Sequence, residues 1–170
     1  IMATRRTVFF PSSAPVDNLS PKTNVREARM IARTVQSVYR LYRQNRKPFL
    51  PHESVGVIVP YRLQIVQVMQ EIASLGIPEL NGITVDTVER YQGSQRDVII
   101  YGFTVRQPYQ LQFLCSQSFV EQGTVIDRKL NVALTRAREQ LVLIGNPTIL
   151  SLDEVHRRLI EEIGATTFPE

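Results

Sequence analysis

The chain holds 170 residues, 43% of them hydrophobic and 21% charged, the length of about one domain and the balance of an ordinary soluble globular one. Its net charge of +4 rests on 17 arginines and 3 lysines, and arginine forks phosphate better than lysine, so a phosphate-rich partner is favoured. No apolar run approaches the roughly 20 residues that span a bilayer, Val8-Phe9-Phe10 is too short for a signal-peptide core, and the single Cys115 excludes an internal disulfide.

A soluble, cytoplasmic protein is therefore expected. Thr7-Val8-Phe9-Phe10 reads as a strand, followed by a Ser/Pro-rich loop through Pro21. Asn24 then caps a long helix, with Glu27 at the capping-box position three residues on. Val25, Ala28, Ile31, Ala32, Val35, Val38, Tyr39 and Tyr42 form its apolar face; Arg26, Arg29, Arg33, Arg40 and Arg43 line the other side. That row reads either as a solvated face or as a contact for nucleic acid or another domain. The helix is expected to end near Asn45, before Pro48. Val55 to Val59 is a strand without polar alternation, which favours a central parallel position.

Pro60 and Tyr61 open a second helix with apolar positions Ile65, Val68, Met69, Ile72 and Leu75, stopped by Gly76. Ile83-Thr84-Val85 and Val98 to Phe103 are further strands. The stretch from Val105 to Asp127 is polar and glutamine-rich, with Pro108 and Gly123 as breakers, and reads as a loop. A helix over 130–138, a strand over 141–144 that stops at Gly145-Asn146, and a closing helix from about Ser151 to Ile163 complete the chain. Strands alternating with helices predict an α/β fold, a doubly wound parallel sheet with helices on both faces. His52 and His156 lack ligand spacing and Cys115 reads as an inert half-buried thiol, so no metal site is expected.

Three segments carry chemistry. Residues 57–64 read Val-Ile-Val-Pro-Tyr-Arg-Leu-Gln. Residues 83–100 read Ile-Thr-Val-Asp-Thr-Val-Glu-Arg-Tyr-Gln-Gly-Ser-Gln-Arg-Asp-Val-Ile-Ile, and residues 130–138 read Leu-Asn-Val-Ala-Leu-Thr-Arg-Ala-Arg. In the last, Leu130, Ala133, Leu134 and Ala137 recur at helical spacing and predict a buried stripe. Arg136 lies off it with Lys129 and Val132, so its guanidinium is expected to point away from the core. A fixed cation on a buttressed helix suits phosphoryl transfer, where charge on the transferring oxygens needs stabilising. The alternative is a solvated surface arginine.

In this order the three segments resemble the second motor domain of superfamily 1 helicases. The branch is the one that includes the RNA-surveillance and Okazaki-fragment-processing helicases, and the likeness runs over roughly Val55 to Asn146. The resemblance implies a RecA-like domain spanning residues 1–170, whose motifs V and VI are the second and third segments. It implies that Arg136 is the arginine finger reaching the γ-phosphate of ATP. Arg138 either supports it or pairs with Glu139 or another acid. Gln92 and Gly93 form the turn that couples nucleotide to nucleic acid, and Gln95 stands where the family has an acidic residue for the nucleotide sugar. Arg96 and Asp97 read as a local ion pair.

By the same resemblance Pro60, Tyr61, Asp86 and Thr87 face single-stranded DNA or RNA through hydroxyls and backbone amides. For Tyr61 the alternative is a core aromatic with its hydroxyl at the rim; for Asp86 and Thr87 it is a turn cap. Gln64 reads as a positional hydrogen-bonder. No G-x-x-x-x-G-K-[ST] phosphate loop occurs in the sequence, and the chain opens on Ile1. The expectation is the C-terminal motor half of a larger ATP-dependent helicase. ATP would bind against a first RecA-like domain of the same full-length chain, which would supply the Mg2+ ligands; the half alone would be inactive. The other reading is a non-catalytic helicase-like module that binds single-stranded nucleic acid or a protein partner.

Overall fold

Apolar runs without polar alternation become strands buried on both faces. In chain order the elements are β1 (Thr7–Pro11), α1 (Val25–Gln44), α2 (Pro51–Ser54), β2 (Val55–Ile58), α3 (Arg62–Ala73), a 3-10 turn (Pro78–Leu80), β3 (Thr84–Asp86), β4 (Arg96–Gly102), α4 (Gln110–Cys115), β5 (Ser118–Glu121), β6 (Thr124–Asp127), α5 (Arg128–Arg136), β7 (Ala137–Gly145), α6 (Pro147–Leu150) and α7 (Glu154–Ile163). The computed structural model that shows them describes residues 4–13, 20–91, 94–115, 118–121 and 124–169, with the backbone alone at 118–121 and 124–126.

The main sheet has five strands in the order β1-β7-β4-β2-β3, and every pairing is parallel. Strand pleating sends alternate residues to opposite faces. Val8, Phe10, Val57, Ile100, Val142 and Ile144 pack on one side with α1 and α3. Phe9, Ile58, Ile99, Tyr101, Leu141 and Leu143 pack on the other with α5 and α7. This is the expected doubly wound sheet. Among the described residues no helix is long and apolar enough to cross a membrane.

Six local expectations are corrected. Asn24 does cap α1, its side chain accepting from the Glu27 amide at 3.0 Å. Glu27 does not close a capping box: its carboxyl lies inside the fold, accepting from Ser12 Oγ at 3.0 Å and the Thr104 amide at 2.7 Å. The side chain of Gln64 takes the vacant role. Its Oε1 accepts from the Asn24 amide at 2.7 Å and its Nε2 donates to the Asn24 carbonyl at 2.9 Å.

On α3, Met69 is 52% exposed, in a row with Leu63 and Val66, because the buried line runs through Gln64, Val68 and Ile72. The 105–127 stretch is no plain loop, since it holds α4 and the antiparallel β5–β6 hairpin. The closing helix starts at Glu154, capped by Asp153, after the separate short α6. The motif helix α5 starts at Arg128, capped by Asp127, and stops at Arg136. Ala137 already pairs with Arg96, so ladder bonds to β4 take the chain from helix to strand two residues earlier than its spacing suggests.

That boundary changes the buried stripe. Leu134 is 40% exposed, whereas Leu130, Ala133 and Lys129 are buried. The Lys129 stem fills the place of an apolar residue while its ammonium finds polar partners, as amphipathic side chains do.

Candidate functional site

The sheet separates the expected site residues into two groups. Pro60 and Tyr61 follow β2, and Asp86 ends β3 with Thr87 next, so these four lie at the carboxyl edge of the parallel strands. Gln95 precedes β4 and Arg136 precedes β7 in the paired register, so they lie at the amino edge. The seven residues of β4 separate the two edges by about 20 Å at 3.3 Å per residue. Gln92 and Gly93, on the connection between these edges, lie outside the described residues.

At the carboxyl edge Tyr61 is the residue before α3, half-buried, with its ring stacked on Phe113 at 5.3 Å and 19°. Its hydroxyl accepts from Gln110 Nε2 at 3.4 Å, and burial pushes the phenol above its ordinary range. Asp86 Oδ1 accepts from the Thr87 amide at 2.8 Å and so caps the turn. The Thr87 carbonyl accepts from the amides of Arg90 and Tyr91, which starts the path toward the other edge. Pro60 is half-buried between strand and helix.

Phe113 and Gln110 lie in the segment that the sequence predicts as a loop, and α4 gives them their place. Gln110 organises it: Oε1 accepts from the amides of Arg106 and Gln107 at 2.8 and 2.9 Å, and Nε2 donates to the Pro21 carbonyl at 2.7 Å. The readable signal was the spacing of Gln110, Leu111 and Leu114 after Pro108, one turn of an amphipathic helix. Lys129 Nζ lies 3.9 Å from the Phe113 ring centre and 3.3 Å from the Phe113 carbonyl. Lysine, phenylalanine and tyrosine thus join the motif helix to the start of α3.

At the amino edge Gln95 Nε2 donates to the Thr135 carbonyl at 3.3 Å, which ties the motif V loop to the residue before Arg136. Arg136 is half-buried at the last position of α5, and its Nε is buried with no hydrogen-bond partner. Burying such a donor unpaired costs about 1–3 kcal/mol. Arg138 belongs to β7 and is engaged elsewhere: its Nε lies 3.1 Å from Asp97 Oδ1 and its Nη2 donates to the Glu53 carbonyl.

Asp97 also accepts from Tyr42 Oη at 2.8 Å and pairs with Lys47 at 3.3 Å, while Glu139 pairs with Lys47 at 2.9 Å. Arg96 and Asp97 are therefore no local ion pair. The buried Arg96 turns the other way, donating to the Gln95 carbonyl and to Thr84 Oγ1, with its guanidinium 5.6 Å from the Tyr91 ring.

Residues 10–148 match a family described as AAA domain. The chain belongs to that family and is homologous to superfamily 1 helicases. It is 36% identical over 127 residues to the mov-10-B.1 protein of Danio rerio, covering 68% of this chain and 12% of that protein. It is 32% identical over 112 residues to Helicase sen1 of Schizosaccharomyces pombe, covering 64% and 6%. To Regulator of nonsense transcripts 1 of Dictyostelium discoideum it is 35% identical over 109 residues, covering 62% and 8%. The chain spans no more than about a seventh of the length of these relatives.

Proposed function

We propose that this RecA-like domain is the second motor half of an ATP-dependent DNA or RNA helicase. Its amino edge completes a nucleotide site shared with a first motor domain, and its carboxyl edge lines the single-strand groove. The observation that carries the reading is the Arg136 Nε, buried and unpartnered at the end of a capped helix. A guanidinium held there is pre-positioned to donate to the charged oxygens of a transferring phosphoryl group.

Gln95 sits beside it with Nε2 already committed to Thr135, which leaves Oε1 to accept from a sugar hydroxyl. Gln92 and Gly93 would complete this nucleotide-facing turn. ATP supplies the phosphoanhydride whose cleavage drives the motor, and Mg2+ would be held by the first domain's carboxylates. Arg138 acts here as a clamp between β7, Asp97 and α2. At the carboxyl edge the Thr87 hydroxyl and the backbone around Pro60 and Tyr61 would meet phosphates, with Asp86 fixing the turn that presents them. A cytoplasmic location belongs to the same reading.

The test compares the 170-residue chain with the full-length protein. The chain alone should show no ATP turnover, and the full-length protein should hydrolyse ATP faster when single-stranded nucleic acid is added. Turnover by the purified chain, or a full-length protein that binds single strands without hydrolysis, would defeat the proposal. The second outcome would favour the binding-module reading.

A further inference from the structure

Three groups far apart in sequence meet on the α5 and α7 side of the sheet. Cys115 ends α4, Asp127 caps α5, and His156 lies in the first turn of α7. One ligand-type atom from each, Sγ, a carboxylate oxygen and a ring nitrogen, lies within 4.8 Å of the other two. None of the three takes part in the nucleotide or nucleic-acid edges described above.

His156 is 1% exposed. Its Nδ1 lies 2.6 Å from Asp153 Oδ2, and the Phe103 ring meets it edge-on at 5.4 Å. A carboxylate at Nδ1 fixes that nitrogen as the protonated one, which leaves Nε2 with a lone pair. This Nε2 is buried with no hydrogen-bond partner, yet 3.4 Å away stands Asp127 Oδ2. The other Asp127 oxygen is already used, accepting from the amides of Lys129 and Leu130 at 2.9 and 3.1 Å. A lone pair facing a carboxylate in a buried site calls for a cation between them.

A metal ion fits between them by geometry. Zinc with nitrogen and oxygen ligands at about 2.0 Å gives a tetrahedral edge of roughly 3.3 Å, close to what is seen. Burial beside Asp153 and Asp127 keeps Cys115 a thiol in the metal-free fold; on binding the ion it gives up its proton to solvent, and the resulting thiolate distinguishes a zinc site from a magnesium or calcium one. The Asp153–His156 contact is the carboxylate–histidine arrangement that orients metal-binding imidazoles.

We propose that Cys115, Asp127 and His156 bind a zinc ion, with Asp153 orienting the histidine and a water completing the tetrahedron. The spacing of the two histidines in the sequence argued against a metal, but the third ligand pairing arises only when α7 packs over the start of α5. Thiolate and carboxylate together neutralise the ion, which favours burial of the whole group. The site pins α4, the α5 N-terminus and α7 together, and so couples the 105–127 segment to the helix that carries Arg136.

The test uses the purified chain and Co2+ as a spectroscopic probe for zinc. One equivalent of Co2+ should give tetrahedral visible bands with a thiolate charge-transfer band, and excess Zn2+ should bleach both. Cys115→Ser should lose the charge-transfer band. Asp153→Asn should keep it but bind about 10–100-fold more weakly. Chelation should lower the melting temperature of the parent chain and leave that of His156→Gln unchanged. No stoichiometric Co2+ spectrum from the folded parent chain would overturn the proposal, as would a charge-transfer band that survives in Cys115→Ser. Should His156→Gln not fold, the parent and Cys115→Ser spectra decide.

Discussion

The carboxyl group of Glu27 sits wholly inside the fold, and burial pushes its pKa up to about 8 against the opposing pull of the Thr104 amide and Ser12 hydroxyl. The folded state therefore prefers this group protonated. Its contribution is fully present below the ordinary carboxylate pKa of about 4.5 and is lost as pH rises through about 8. Wild-type stability should fall over that window by on the order of a few kcal/mol, and Glu27→Gln should flatten the fall. A variant with the parental slope between pH 5 and pH 9 would remove Glu27 from the account. The Asn24–Glu27 spacing made the helix start legible. The true partner of Glu27 was not, because Thr104 lies 77 residues away and no local pattern encodes it.

Among the elements, strands were the more legible, since a parallel strand covered on both faces must be apolar throughout. Boundaries set by pairing were not. The end of α5 depends on Ala137 meeting Arg96 across the ladder, and helical spacing carries no information about that partner. The motif V loop shows the same dependence on long-range packing. Tyr91 is buried with its hydroxyl donating to the Thr84 carbonyl at 3.1 Å, and it lies directly over Gly56.

A Cβ at position 56 would stand 2.0 Å from the Tyr91 hydroxyl oxygen and 2.9 Å from Arg96 Cγ. Gly56→Ala must therefore push the loop outward, at a cost of about 1–3 kcal/mol. For a chain this long, each kcal/mol lowers the melting temperature by about 2–4 °C. Calorimetry showing an unchanged midpoint would contradict the packing described for this loop.

At the scale of the whole molecule, one sheet carries the proposed site residues on two separate edges. The carboxyl-edge placement of Pro60, Tyr61, Asp86 and Thr87 was legible because they end or follow apolar runs that read as parallel strands. The amino-edge placement of Gln95 and Arg136 was not, because it follows from strand order and register. The family was legible because three motifs retain their order, and the match over residues 10–148 agrees with it. Of the two readings for Arg138, pairing with another acid is the one seen: the change from helix to strand after Arg136 brings it to Asp97, with the Glu53 carbonyl as a further acceptor.

If Arg136 acts on phosphoryl transfer from the amino edge, ATP hydrolysis by Arg136→Ala in the full-length protein reads that role without intermediaries. The rate should fall by about 10³–10⁵, with ATP affinity close to parental and the melting temperature at or a few degrees above parental, because the group acts on the transition state and its buried unpaired Nε does not help folding. Hydrolysis at the parental rate, or loss of the folded state in its place, would contradict the account.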